Sequence, residues 1–124
     1  MIGHVTGKLI LKQAPHLMID VNGVGYEIEA TMTVFYNIPN LGEQVSLYTH
    51  QIIRDDAHLL FGFINLRQRN LFRVLIKASG IGPKVALAIL SGLSTEDLIT
   101  SVTSSDIDQL MRIPGIGRKT AERM

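Results

Sequence analysis

The first half of the chain alternates apolar and polar residues in short stretches that turn residues separate. Alternation with a period of two, rich in β-branched residues, is typical of half-buried β-strands. It predicts strands at residues 1–12, 16–21, 25–30, 45–53 and 58–64. Asn22-Gly23 is a strong hairpin signal between two of them, and residues 31–36 could form a helical turn. Five short strands indicate a small antiparallel barrel, for which the OB-like barrel is the commonest arrangement.

The second half has the spacing of helices. Apolar residues recur every three or four positions over residues 71–76, and a Gly-rich break precedes a predicted helix at 83–90. Ser94 begins another helix as its N-cap, with Asp97 at the third position. A further helix, from Ser104 or Ser105, reaches residue 112, and a last one begins at residue 118. No stop signal follows Met124, so we expect the sequence to end within that helix and a further segment to be missing.

These patterns predict a mixed fold, β first and then α. A barrel domain covers residues 1–64, and a helical domain covers residues 65–124. The helical domain contains one internal repeat, in which residues 75–86 align without gaps to residues 110–121. Both copies carry the pattern Gly-Ile-Gly-x-Lys-x-Ala. Two copies in the same register are a much stronger signal than a single Gly-x-Gly.

Each conserved position within the two copies of the repeat has a physical explanation. Its first Gly can end a helix with a positive φ, and its Ile turns inward between two helices. Its second Gly lets a phosphate approach the next helix, whose free N–H groups and positive dipole end favour an anion. Pro83 suits the first helical position, where no N–H is needed. This is the logic of a helix-hairpin-helix, which contacts the phosphate backbone without reading bases.

The repeat therefore supplies candidate DNA-binding residues. They are Ser79, Gly80, Gly82, Lys84, Gly115, Gly117, Arg118, Lys119 and Arg123. Two other interpretations stay open at this point. The hairpins could be ordinary connections between helices, or they could bind protein as part of a scaffold. Binding to phosphate would weaken steeply as salt rises, which separates these interpretations.

Charge and composition narrow the picture. Residues 1–64 carry three basic and six acidic residues, whereas residues 65–124 carry nine and five, so the second half suits a polyanionic partner. The chain has no Cys, and therefore no disulfide or thiolate metal site. It has no apolar run near the roughly 18 residues of a membrane span. It also has no secretory signal and no Walker A motif, so ATP hydrolysis by this chain is not expected.

An acidic pair marks the predicted tip between the last two strands. Asp55 and Asp56 would repel DNA phosphates that came close. A solvated acidic turn is one alternative, and a two-carboxylate metal site for nuclease chemistry, with His58 nearby, is another. The histidines lack metal-ligand spacing, and the barrel lacks a row of exposed aromatics for stacking single strands. We therefore expect no catalytic residue, metal or cofactor.

Several short segments, in this order along the whole chain, also occur together in one known family. They are residues 1–3 (Met-Ile-Gly), 24–27 (Val-Gly-Tyr-Glu), 49–50 (Thr-His), 54–57 (Arg-Asp-Asp-Ala), 60–63 (Leu-Phe-Gly-Phe), 82–92 and 114–123. On these residues the chain resembles the RuvA family, the bacterial Holliday-junction branch-migration subunits. The resemblance implies an N-terminal five-stranded OB-fold barrel followed by an all-α tandem helix-hairpin-helix domain.

The resemblance also implies a function and partners. The expected function is non-catalytic binding of four-way junction DNA, held open for branch migration in recombination, DNA repair and the SOS response. The expected assembly is a cytoplasmic homotetramer, single or stacked in pairs, that works with the RuvB ATPase motor and the RuvC resolvase. Asp55 and Asp56 match the family's acidic pin, which often reads Glu-Asp. The family's third domain, which contacts the motor, would lie beyond Met124.

One alternative comes from the enzyme class. Helix-hairpin-helix motifs also occur in DNA glycosylases and nucleases, so the chain could be a fragment of such an enzyme. A glycosylase needs a base pocket and a catalytic Asp downstream of its hairpin. This sequence ends before such a position, which favours the non-catalytic interpretation.

Overall fold

The structure is a computed structural model of the chain and describes residues 1–77 and 81–92. In chain order, the described elements are β1 (His4–Gln13), β2 (His16–Val21), β3 (Val24–Ala30), α1 (Met32–Asn37), β4 (Gln44–Ile53), β5 (His58–Phe63), α2 (Leu66–Lys77) and α3 (Pro83–Gly92). The predicted succession of strands and then helices is confirmed. The chain divides into two compact units, residues 1–69 and residues 70–124.

The strands of the first unit close into a barrel in the order β1-β2-β3-β5-β4. Four of the five contacts between strands are antiparallel. The fifth, between β3 and β5, is parallel and covers only the pairs Glu29–Phe61 and Ala30–Gly62. The prediction of a wholly antiparallel barrel is therefore wrong at this contact. Helix α1 and strand β4 lie between β3 and β5 in the chain, and they bring β5 back in the same direction as β3. Closure leaves no complete free edge in the sheet.

The predicted hairpin between β2 and β3 is confirmed. Asn22 has φ 53° and Gly23 has φ 92°, the positive values that a two-residue type I′ turn requires. Val21 pairs with Val24 across the turn. The Asp20 carboxylate accepts a hydrogen bond from the Gly23 N–H at 3.0 Å, which holds the turn in register.

The alternating pattern of the strands places one face of each in the barrel core. The largest fully buried side chains of this unit are Leu9, Leu17, Ile19, Ile28, Val34, Leu47 and Phe63. Gly62 packs against these side chains so closely that only a glycine fits. A Cβ at this position would come within 2.7 Å of Ile28 Cγ2. A side chain at that position would force apart the two strands whose short parallel contact closes the barrel.

The first turn of α2 packs against the start of the barrel within the first unit. The Asn65 side-chain oxygen accepts a hydrogen bond from the Gln68 N–H at 2.9 Å and so caps the helix. Arg69 Nη1 donates to the Gly3 carbonyl oxygen at 3.1 Å. The Arg69 guanidinium also lies 5.8 Å from the centre of the Tyr48 ring, in cation–π range. Arg69 therefore has a structural role in this unit.

The described part of the second unit consists of the rest of α2, residues 81–82 and α3. The helical spacing predicted for α2 is confirmed, since Phe72 and Leu75 are buried. Ala86, Leu87, Ile89 and Leu90 form the buried face of α3. No helix in the described ranges is long and apolar enough to cross a membrane.

Candidate nucleic-acid interface

The start of α3 has the geometry that the repeat predicts. Ile81 is only 5% exposed, so it turns inward as expected. The Gly82 carbonyl oxygen accepts a hydrogen bond from the Ala86 N–H at 3.0 Å. This bond makes Gly82 the N-cap and Pro83 the first helical residue, so the predicted place of Pro83 is confirmed. Proline costs the helix nothing there, because the N–H that it lacks would have no partner within the helix.

The space beside Gly82 is open. A Cβ on Gly82 would meet no atom of the described residues within 4 Å, so packing against them does not require a glycine there. The bond from the Ala86 N–H to the Gly82 carbonyl oxygen closes the first turn of the helix. Helix geometry leaves the amides of Lys84 and Val85 without an acceptor inside the helix. An anion that approached Gly82 would therefore meet free donors at the positive end of the helix.

Lys84 adds a positive charge to the same place. It is exposed and lies in the first turn of α3, which contains no acidic residue. A cation at a helix N-terminus is unfavourable by about 0.3–1 kcal/mol. A bound anion would reverse the sign of that interaction. The structure thus brings together two of the predicted residues, Gly82 and Lys84.

The other candidates of the repeat lie outside the described residues. They are Ser79, Gly80, Gly115, Gly117, Arg118, Lys119 and Arg123. Their roles stay predictions. The same holds for the predicted helix starts at Ser94 and at Ser104 or Ser105.

Helix α2 carries basic residues that the sequence reasoning did not single out. Arg67, Arg69, Arg73 and Lys77 all belong to this 12-residue helix, which contains no acidic residue. A signal was available, because residues 57–95 contain no Asp or Glu at all. The charge balance of residues 65–124 does not show this stretch without acidic residues, because the five acidic residues of that half all follow it.

The acidic pair lies where the sequence predicts it, at the tip of the hairpin of β4 and β5. The two strands pair from Tyr48–Phe63 to Ile53–His58, and the Arg54 N–H donates to the Ala57 carbonyl oxygen at 2.8 Å. Asp55 and Asp56 are exposed between these residues. Within residues 1–77 and 81–92, no three His, Asp or Glu side chains gather as metal ligands. The tip therefore presents the two carboxylates to solvent from the end of a paired hairpin.

Comparison with known proteins covers both units. Residues 1–62 match the family model described as RuvA N terminal domain. Residues 72–124 match the model described as SAM-like helix-hairpin-helix tandem. These matches, with the closed five-stranded barrel, confirm the predicted fold class of an OB-fold barrel followed by a tandem helix-hairpin-helix.

Similar curated proteins carry one name, Holliday junction branch migration complex subunit RuvA. The protein from Marinomonas sp. (strain MWYL1) is 58% identical over 124 residues, which are 100% of this chain and 62% of that protein. The protein from Pseudomonas syringae pv. syringae (strain B728a) is 55% identical over 100% of this chain and 61% of its own length. The chain thus spans about three fifths of the length of these relatives.

Proposed function

The chain belongs to the RuvA family, and from this premise we propose that it binds four-way DNA junctions by their shape. The chain holds the junction open, and a partner motor that hydrolyses ATP drives branch migration in DNA recombination and repair. The chain itself is a non-catalytic subunit. The observation that carries the proposal is the start of α3, where Gly82 leaves space among the described residues and Lys84 is exposed, beside amides that have no acceptor within the helix.

The chemistry of binding follows from that arrangement. A phosphate oxygen accepts hydrogen bonds from the amides of Lys84 and Val85, beside the glycine that leaves room for it. The Lys84 ammonium neutralises the phosphate charge and releases a counterion. None of these groups reaches a base edge, so the contact carries no sequence information. The second copy of the pattern, with Gly117 and Lys119, repeats the contact at another phosphate.

Selection of junctions over plain duplex needs a second element, which we assign to Asp55 and Asp56. In a homotetramer, single or stacked, the acidic pairs of all subunits surround one axis. They repel phosphates at the centre of the junction and keep the strands apart. Specificity then comes from repulsion at the centre and attraction by the hairpins. The proposed partners are the RuvB motor and the RuvC resolvase, and the proposed location is the bacterial cytoplasm.

A competition experiment tests the proposal. The chain is titrated with a four-way junction and with a linear duplex of equal length, each in two unrelated sequences. We expect tighter binding to the junction and little difference between sequences. Equal affinity for junction and duplex would contradict the proposal. Cleavage or base excision would favour the enzyme alternative instead.

A further inference from the structure

The barrel has an open seam where β3 and β5 begin. Among the described residues, these two strands pair only where residues 29–30 meet residues 61–62. The same register, carried back toward the start of both strands, would set Tyr26 opposite His58, but the described strands do not pair there. Residues from the starts of both strands instead line a cavity of about 290 Å³. We call it the seam cavity, and all of its lining residues belong to the first unit.

The size and the apolar side of the seam cavity suit one small ring system. Ligand sites in proteins usually measure about 300–1,000 Å³, so this cavity lies at the small end of the range. Ile2, Tyr26 and Leu60 line it and also pack partly against the barrel core. These side chains give the cavity an apolar wall that the core holds in place.

The polar residues of the seam cavity offer hydrogen-bond donors and acceptors. The Gln51 Oε1 atom accepts a hydrogen bond from the Ile2 N–H at 3.2 Å. This bond uses the oxygen of the amide, and its two N–H donors have no recorded acceptor among the described residues. Glu27 and His58 are exposed and also line the cavity. None of the described residues that line it is Lys or Arg, so a phosphate would meet the Glu27 carboxylate without a compensating charge. The cavity therefore suits an uncharged ligand.

The seam cavity adjoins the acidic tip of the β4–β5 hairpin. His58, which lines the cavity, is the first residue of β5 and follows Asp56 by two positions. It pairs with Ile53, the last residue of β4, at the base of the tip. Under the proposed function the tip lies at the centre of the junction, where bases exchange partners during branch migration. Unpaired bases are the least costly to take out of the stack.

We propose that the seam cavity holds one unpaired nucleobase from the branch point of the junction. A nucleobase is flat and uncharged, and its edge carries both donors and acceptors. Tyr26 and His58 offer rings for stacking, which tolerates every base, and Gln51 and Glu27 offer hydrogen bonds to the edge. This inference rests on the proposed function and adds a contact with a base to the phosphate contacts of the hairpins.

The first test removes the base from the DNA and keeps the phosphates. Two four-way junctions are compared, one with an unpaired adenine at the branch point and one with an abasic site at the same position. Both carry the same charge, so contacts with phosphates contribute equally to the two affinities. We expect the wild-type chain to bind the junction with the base about fivefold more tightly or better, as stacking on an aromatic side chain provides.

Variants of the seam cavity then locate this effect in the protein. His58→Ala removes an exposed ring, and Tyr26→Leu removes the other ring but keeps apolar bulk against the core. Each should bring the ratio of the two affinities toward one, whereas His58→Phe restores a ring and should keep the ratio. The matched control is His16→Ala, because His16 is also exposed and also begins a strand but does not line the cavity. Melting midpoints check that each variant is folded.

The second test detects proximity in the unmodified chain. 5-Iodouracil replaces the unpaired base at the branch point, and irradiation crosslinks it to aromatic side chains that it touches. Mass spectrometry of the digested complex identifies the crosslinked peptide. We expect crosslinks to peptides that contain Tyr26 or His58. The same label in the middle of a junction arm is the control, and it should not crosslink to these peptides.

The outcomes distinguish this inference from the proposed function. If the wild-type chain prefers junctions to duplex but binds the two branch-point junctions equally, the seam cavity holds no base and the proposed function stands. An affinity ratio that survives both cavity variants, or that the His16 control lowers equally, would also overturn the inference. So would a changed oligomeric mass of His58→Ala at an unchanged ratio, because the cavity would then be a contact between copies of the chain. If the wild-type chain shows no preference for junctions, the proposed function itself fails.

Discussion

The tip of the β4–β5 hairpin and the start of α3 present opposite charges by opposite means. At the tip, a paired hairpin holds Asp55 and Asp56 in solvent, and the side chains carry the charge. At the start of α3, Gly82 leaves space beside backbone amides that have no acceptor within the helix, and the exposed Lys84 adds its charge. The barrel tip depends on the packing of the strands that carry it, whereas the start of α3 depends on the space beside Gly82 among the described residues. Substitutions should therefore affect stability in one region and binding in the other.

The largest effect on stability is expected in the barrel. Phe63 belongs to β5, is fully buried and pairs with Tyr48 at the base of the hairpin that carries the tip. Phe63→Ala should lower the free energy of unfolding by about 3–5 kcal/mol, through lost burial and the cavity left behind. Urea unfolding measures this loss. A loss below about 1 kcal/mol would contradict the tight packing of Phe63 in the barrel core.

The opposite pattern is expected at Gly82, where a side chain fits the protein but not the ligand. Serine is at least as good an N-cap as glycine, and a Cβ there meets no atom of residues 1–77 and 81–92 within 4 Å. Gly82→Ser should therefore change unfolding by a few tenths of a kcal/mol at most. Junction affinity should fall about tenfold, the equivalent of one hydrogen bond to a charged group at roughly 1.5 kcal/mol. Unchanged affinity would mean that no phosphate approaches this glycine.

A smaller effect is expected from the lysines of the two hairpins. Lys84→Ala and Lys119→Ala each remove one phosphate contact, so each should lower the salt slope by about 0.9. Between 50 and 200 mM salt, this amounts to about a threefold smaller loss of affinity per contact. Far-ultraviolet circular dichroism checks that the fold persists. If the double variant keeps the wild-type slope, the hairpins are only structural.

The smallest change in junction affinity is expected from the acidic pair. Asp55→Asn with Asp56→Asn removes a charge that repels phosphate, so junction binding should stay the same or tighten slightly. Linear duplex should compete better, because discrimination has lost its repulsive part. Both titrations are run with and without Mg²⁺.

Each alternative for the acidic pair predicts a different result. A metal site predicts loss of Mg²⁺-dependent cleavage with unchanged selectivity. A solvated turn predicts no change in either titration. Weaker junction binding with unchanged duplex binding would contradict repulsion.

Features set by neighbouring residues were predictable. The turn at Asn22-Gly23 follows from two residues that tolerate positive φ. The buried Ile81 and the first helical position of Pro83 follow from the repeat. The start of α2 was also encoded locally, by the Asn65 cap. That signal was missed because the apolar spacing becomes clear only from Leu71 onward.

The sequence by itself determined the strands, the turns, the position of the acidic tip and the start of α3, because each depends on residues a few positions apart. Only the tertiary structure decided how the barrel closes. The β3–β5 contact consists of two residue pairs that are more than 30 positions apart in the chain, Glu29–Phe61 and Ala30–Gly62, and no local sequence pattern marks them. It alone assigned Arg69 to the Gly3 carbonyl, 66 positions away along the chain. It also decided which side of α2 is exposed. A buried face is defined by what packs against it, and no local pattern contains that partner.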